Sequence, residues 1–134
     1  LPQDELLAWA DIVVCTVPLG PETTHLIGAR EFELMGPATV FVNASRGKVV
    51  DEAALAEALA AGTIRAAGLD VFEVEPLSVD SPLLQLKNAV CLPHIGSATH
   101  ETREAMVRCA GANLTAALNG KRPPNLVNSE VWPL

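Results

Sequence analysis

Residues 39–71, TVFVNASRGKVVDEAALAEALAAGTIRAAGLDV, place an alanine- and leucine-rich segment between two apolar segments. Residues 39–43 and 66–71 have the composition of buried β-strands. Asp51 is a suitable N-cap for the segment between them, and Gly62 fits the position that ends a helix. A strand, a helix and a second strand in this order predict a βαβ unit with two parallel strands.

The same alternation continues on both sides of this unit. Residues 12–17 are a continuous apolar run that predicts a strand buried on both faces, and residues 89–92 predict a fourth strand that ends at Pro93. The chain opens with a predicted amphipathic helix, and the other predicted helices cover residues 31–35, 52–61, 83–86 and about 98–119. The pattern indicates an α/β fold, with four strands that make up roughly half of a doubly wound parallel sheet and a long final helix.

Composition argues against several kinds of partner. The 134 residues carry 16 acidic and 9 basic side chains, and the formal charge of −7 repels phosphate backbones and anionic lipid. We therefore expect no nucleic-acid partner and no membrane partner. Three cysteines without metal-like spacing favour a reduced, cytoplasmic chain with no metal site.

Chemically active side chains follow three of the predicted strands. Arg46 follows the second strand, Asp70 and Glu75 follow the third, and His94 follows the fourth. Ligands of open parallel sheets bind beyond the carboxyl ends of the strands, where the loops converge. We therefore expect these four side chains to lie at one edge of the sheet.

Each of these residues also has an ordinary structural interpretation. Arg46 alone fits a solvated loop charge, Asp70 a strand-end cap, Glu75 a surface acid and His94 a structural histidine. Their occurrence at three successive strand ends favours a functional site over four independent structural roles.

An arginine, a carboxylate and a histidine suit the reduction of a 2-keto acid. The planar guanidinium can bind the substrate carboxylate bidentately and polarise the neighbouring carbonyl. A histidine held cationic by an adjacent glutamate can protonate the ketone oxygen as hydride reaches the carbon. No side chain supplies hydride, so this chemistry requires a cofactor.

Three motifs show a resemblance to a known family. Residues 43–51 (NASRGKVVD), 67–76 (AGLDVFEVEP) and 93–99 (PHIGSAT) resemble the D-isomer-specific 2-hydroxyacid dehydrogenases in order and spacing. The resemblance extends to residues 17–19 and 21–23 and covers nearly the whole chain. It implies a Rossmann-like fold and a catalytic set in which Arg46 binds the substrate, Glu75 is the partner acid and His94 is the proton donor.

The resemblance also implies a cofactor site, with Asp70 near the nicotinamide carboxamide. The residues that it places at the cofactor are Val17, Pro18, Thr23, Ala44, Ser45, Asp70 and Gly96.

Within the family, residues 92–103 (LPHIGSATHETR) look most like the glyoxylate/hydroxypyruvate reductases, including enzymes that also reduce 2-ketogluconate. That branch favours NADP as cofactor, with NAD as the alternative, and a small 2-keto acid as substrate. Glu75 argues against the formate dehydrogenase branch. Because only 40 residues follow His94, a phosphoglycerate dehydrogenase-like protein is a minor alternative.

The chain departs from the family in lacking the Gly-x-Gly-x-x-Gly turn of the first βαβ unit. It also begins at Leu1, and we therefore expect the C-terminal portion of a larger enzyme. Residues 1–119 would be a partial nucleotide-binding domain, and residues 120–134 a tail on the side of the substrate domain.

Two functional classes stay open. In the first, the parent protein is a reductase and this chain alone is inactive, and we expect a homodimer or another chain that completes the fold. In the second, the chain is a non-catalytic remnant or a dinucleotide-sensing binding module of the same fold.

Overall fold

The computed structural model describes residues 1–133. Leu134, the last residue of the predicted tail, lies outside the described residues. The chain divides into two compact units, Leu1–Ile95 and Gly96–Leu134. The boundary predicted from the sequence lies after residue 119 and groups the long final helix with the sheet. The structure groups this helix with the second unit.

The first unit contains a four-stranded parallel sheet whose strands are paired in chain order. The strands are β1 (Ile12–Cys15), β2 (Val40–Asn43), β3 (Ala66–Leu69) and β4 (Ala89–Cys91). Its helices are α1 (Gln3–Trp9), α2 (Ala29–Met35) and α3 (Glu52–Ala61), with short 3₁₀-helices at Gly47–Val49 and Pro82–Gln85. The predicted α/β fold with parallel strands is confirmed.

The ends of α3 are where local sequence signals place them. The Asp51 carboxylate accepts the Ala54 N–H at 3.0 Å, and Gly62 ends the helix in the left-handed region at φ 73°. α2 begins before the predicted residue 31, because the Glu31 side chain reaches back to accept the Gly28 N–H at 3.0 Å.

The core lies on one face of the sheet. Phe32 of α2 and Phe41 of β2 meet there edge to face, with ring centroids 5.5 Å apart, and both are fully buried. The prediction that β1 is buried on both faces is wrong. Ile12 and Val14 are 63% and 57% exposed. Alternate residues of a strand point to opposite faces of the sheet, so Val13 and Cys15 point to the face opposite to that of Ile12 and Val14. The buried residues of α1 to α3 join the core on the face of Val13 and Cys15.

The second unit contains α4 (His100–Leu118) and a 3₁₀-helix at Ser129–Val131. The Thr99 hydroxyl caps α4 by accepting the Thr102 N–H at 3.2 Å. Asn113 of α4 and Asn125 bind each other twice, at 3.0 Å and 2.9 Å, so the tail is attached to the helix. Within residues 1–133, no helix combines the length and apolar character needed to cross a membrane.

We predict that Phe41→Ala lowers the free energy of unfolding by about 3–5 kcal/mol, because it removes a fully buried ring and leaves a cavity against Phe32. Urea unfolding followed by circular dichroism measures this change. Val127→Ala is the control, since Val127 is 97% exposed and its truncation should change stability by less than about 0.5 kcal/mol. Equal losses in the two variants would contradict the assigned core.

Candidate active site

The carboxyl ends of the strands are level with one another. Cys15, Asn43, Leu69 and Cys91, the last residues of β1 to β4, are register partners across the sheet. The first residues after β2, β3 and β4 each donate a backbone N–H to the last residue of the preceding strand, at 3.1, 3.0 and 2.8 Å. The loops that follow β2, β3 and β4 therefore start side by side, as the sequence predicts.

Glu75 and His94 form a close pair at this edge. Glu75 Oε2 lies 2.7 Å from His94 Nδ1, and Glu75 Oε1 accepts the Phe72 N–H at 3.0 Å. Because Nδ1 faces the carboxylate, Nε2 is the ring nitrogen that can meet a substrate. The hydrogen bond from His94 lowers the pKa of Glu75 below its usual value, with smaller effects from the Phe72 N–H and the charge of Arg46.

The backbone around His94 is held in an uncommon conformation. His94 has φ 54°, in the left-handed region that residues other than glycine seldom adopt. Its N–H donates to the Leu92 carbonyl at 3.1 Å, and the next N–H, that of Ile95, donates to Asp70 Oδ1 at 2.7 Å. Asp70 therefore fixes the chain next to His94 and belongs to the same cluster.

Arg46 and Ser45 follow β2 but point to different surroundings. Arg46 is exposed, and its Nη1 donates to the Ser45 carbonyl at 2.6 Å. Ser45 is buried, and its hydroxyl donates to Asn43 Oδ1 at 2.8 Å. The same Ser45 Oγ lies 3.4 Å from Cys15 Sγ. The Ser45 hydroxyl thus stabilises the turn from inside instead of facing the edge where a cofactor would lie.

The remaining residues of the predicted cofactor site lie in three places. Thr23 closes the loop after β1, since its Oγ1 donates to the Pro18 carbonyl and accepts the Gly20 N–H, each at 2.7 Å. Val17 is half-buried against the core, Ala44 is exposed at the sheet edge, and Gly96 is the first residue of the second unit.

A second acidic contact supports the loop that holds Glu75. The Glu73 carboxylate accepts the Glu52 N–H at 3.1 Å, and the Glu52 carboxylate accepts the Glu73 N–H at 3.0 Å. Glu73 Oε1 also lies 3.1 Å from His25 Nε2. Sequence reasoning singled out neither Glu52 nor His25, because no motif spacing joins positions so distant along the chain.

A cavity of about 300 Å³ adjoins the pair. Its lining is mainly apolar and consists of Phe72, Glu75, Pro76, Leu77, Leu84, Cys91, Leu92, Pro93 and His94. Burial, together with the charge of Glu52, raises the pKa of the Cys91 thiol, so this side chain adds a neutral group to the wall. The part of the chain that the structure describes contains no cluster of three metal-ligating side chains.

A parallel α/β sheet with a carboxylate–histidine pair beyond its carboxyl ends defines a Rossmann-like nucleotide-binding domain of dehydrogenase type. Residues 1–96 match the family described as D-isomer specific 2-hydroxyacid dehydrogenase, NAD binding domain, and the chain belongs to this family. The resemblance inferred from the three sequence motifs is confirmed.

Relatives of known name and structure agree with this assignment. The chain is 59% identical over 128 residues to glyoxylate/hydroxypyruvate reductase B of Pectobacterium atrosepticum, covering 96% of this chain and 40% of that enzyme. A Thermus thermophilus protein superposes with a TM-score of 0.91 at 46% identity, covering 95% of this chain and 40% of that one. An NADPH-dependent glyoxylate/hydroxypyruvate reductase from Sinorhizobium meliloti, solved with NADP and malonate, gives a TM-score of 0.82 at 40% identity, over 87% and 36%.

The chain therefore spans about 40% of the length of the curated relatives that it matches.

We predict that Glu75 makes stability depend on acid pH. Because its pKa is lowered in the folded state, Glu75 stabilises the fold fully above its usual value of 4.5, and this contribution disappears as pH falls through the lowered pKa. Wild type should exceed Glu75→Gln in stability at pH 6, and the difference should vanish in stronger acid. Urea unfolding at a series of pH values tests this.

His94→Ala is the matched variant for this test, since it removes the largest cause of the lowered pKa and should remove most of the pH-dependent difference. Parallel stability curves for wild type and Glu75→Gln would contradict the prediction.

Proposed function

We propose that this chain carries the acid–base and substrate-carboxylate groups of a reductase that converts a small 2-keto acid, such as glyoxylate or hydroxypyruvate, to the D-2-hydroxy acid. The observation that carries the proposal is the 2.7 Å contact of Glu75 with His94 at the carboxyl edge of the sheet. The names of the relatives from Pectobacterium atrosepticum and Sinorhizobium meliloti support the choice of substrate.

His94 is the proton donor in this proposal. Glu75 binds Nδ1 and fixes the orientation of the ring, so that Nε2–H can donate to the carbonyl oxygen of the substrate. The second oxygen of Glu75 is held by the Phe72 N–H, which prevents the carboxylate from turning away from the ring. The pair is therefore prepared for proton transfer before a substrate arrives.

Arg46 binds the substrate carboxylate in this proposal. The exposed guanidinium offers several donors in one plane, which suits a carboxylate next to a carbonyl. Its positive charge adds a small effect to the lowered pKa of Glu75, after the larger effects of the His94 hydrogen bond and the Phe72 N–H. A substrate can thus meet Arg46 at one end and His94 at the other.

The residues of the edge fit a dinucleotide cofactor, which when bound supplies the hydride. Pro18, Ala44 and His94 are exposed at the end of the sheet where dinucleotides bind, and the Asp70 carboxylate accepts the N–H of Ile95, the residue after His94. We infer NADP, because the reductase from Sinorhizobium meliloti is NADPH-dependent, with NAD as the alternative. The Gly-x-Gly-x-x-Gly turn is absent from these 134 residues, so we assign the pyrophosphate contacts to another part of the complete protein.

We further infer a homodimer, or another chain that completes the fold, and a cytoplasmic location. Four large apolar residues of α4, namely Met106, Val107, Leu114 and Leu118, are exposed and supply a surface for such a partner. Three free cysteines support a reduced compartment.

We predict that His94→Ala lowers turnover of the complete reductase by about 10²–10⁴-fold, because the proton donor is lost. The assay is NADPH and NADH oxidation with hydroxypyruvate or glyoxylate, and we expect none from the 134-residue chain by itself. His100→Ala is the control, since His100 is exposed at the start of α4. Unchanged turnover in His94→Ala would refute the assigned role.

We predict that Arg46→Ala lowers kcat/KM for the keto acid by roughly 10- to 100-fold, with both a higher KM and a lower kcat, since charged hydrogen bonds to substrate and transition state are lost. Arg46→Lys keeps the charge without the planar fork and should recover only part of the loss. Steady-state kinetics at varied keto acid concentration measure KM and kcat for each variant. Wild-type constants in Arg46→Ala would rule out its role in binding the carboxylate.

A further inference from the structure

Asn43 is the last residue of β2 and is only 2% exposed, yet its side chain is polar. Both ends of its amide are used within the next three residues. Oδ1 accepts the Ser45 N–H at 3.1 Å and the Ser45 hydroxyl at 2.8 Å, and Nδ2 donates to the Arg46 carbonyl at 3.2 Å. A buried amide with this set of partners fixes the turn over residues 44–46.

The start of this turn is attached to the neighbouring strands. The Asn43 carbonyl accepts the Asp70 N–H at 3.0 Å, and the Ala44 N–H donates to the Cys15 carbonyl at 3.1 Å. The Asn43 side chain therefore extends from backbone that is hydrogen-bonded to both neighbouring strands.

The end of the turn is fixed by a close approach at Gly47. A Cβ at this position would lie 1.8 Å from the Phe72 carbonyl carbon and 2.3 Å from the Glu73 nitrogen, so only glycine fits. The segment that Gly47 touches is the one whose Phe72 N–H holds Glu75. The turn and the loop of Glu75 are thus in direct backbone contact.

Arg46 lies between these two fixed points. Its carbonyl is held by Asn43, and its own Nη1 donates to the Ser45 carbonyl, which belongs to the same turn. The side chain itself is exposed and makes no ion pair within the described residues. Its position at the edge is therefore set by the backbone that Asn43 holds and not by a charged neighbour.

We propose that Asn43 is a positioning residue for Arg46, which holds the turn over residues 44–46 so that the guanidinium is presented to the carboxylate of a 2-keto acid. This inference rests on the proposed function of Arg46. Asn43 touches neither substrate nor cofactor in this assignment, and it acts only through the backbone of the residue that does.

Asn43→Asp in the complete reductase tests this role. Aspartate keeps the shape and the acceptor for Ser45, but it replaces the donor that faces the Arg46 carbonyl by a second acceptor. We expect kcat/KM for hydroxypyruvate to fall about tenfold through a higher KM, while KM for NADPH stays within about twofold of wild type. An unchanged KM for hydroxypyruvate would overturn the inference.

A double-mutant cycle with Arg46→Ala separates positioning from general destabilisation. If Asn43 acts through Arg46, Asn43→Asp should cause no further loss of kcat/KM when Arg46 is already alanine. Additive losses would overturn the inference. Failure of Arg46→Ala itself to impair wild type would refute the proposed function of Arg46, which is a distinguishable result.

Asn88→Asp is the matched control, because the Asn88 amide, like that of Asn43, donates to the backbone. Its partners are the carbonyls of Leu59 and Arg65, at the opposite end of the sheet. This variant should leave KM for hydroxypyruvate unchanged. Asn43→Ser is a second variant, which keeps an acceptor for the Ser45 N–H and is too short to reach the Arg46 carbonyl. Loss of folding in both Asn43 variants would overturn the inference, since Asn43 would then be required by the fold and not by the site.

Discussion

The parallel register of the sheet places the last residues of β1 to β4 side by side, and the rest of the site depends on this alignment. Backbone hydrogen bonds of the sheet continue one residue beyond β2, β3 and β4, so the following loops leave the sheet at the same level. Residues separated by 48 positions in sequence, Arg46 and His94, therefore belong to one edge. A shift of one residue in any strand would turn its side chains to the other face and remove its loop from the group.

The loops that leave the aligned strand ends bring Glu75 and His94 into contact. The carboxylate is held at one oxygen by the Phe72 N–H and at the other by the ring, and the backbone of His94 is held in turn through Ile95 by Asp70. Glu75 is thus held by the backbone of Phe72, and His94 is held through the backbone of Ile95. In the proposed reductase, such preorganisation would reduce the rearrangement needed when a substrate binds.

Several polar side chains next to the site form hydrogen bonds with the backbone of the site loops. Asn43 and Ser45 are buried and satisfy each other, while Glu52 and Glu73 exchange hydrogen bonds with each other's backbone. Buried polar groups without partners destabilise a fold, so Asn43 and Ser45 can be buried here only because each is hydrogen-bonded. These polar side chains hold the loop of Arg46 and the loop of Glu75 on either side of the contact at Gly47.

The sequence by itself determined the element order, the parallel α/β class and the boundaries of α3, because capping at Asp51, the turn at Gly62 and apolar runs are local signals. Its three motifs also identified the family and the candidate residues Arg46, Glu75 and His94. Only the tertiary structure decided which face of β1 is covered, that the Ser45 hydroxyl points inward, and that Glu52 meets Glu73 across 21 positions. The physical reason is that burial and long-range hydrogen bonds depend on what packs against a residue, and the residue's own neighbours in sequence do not specify that partner.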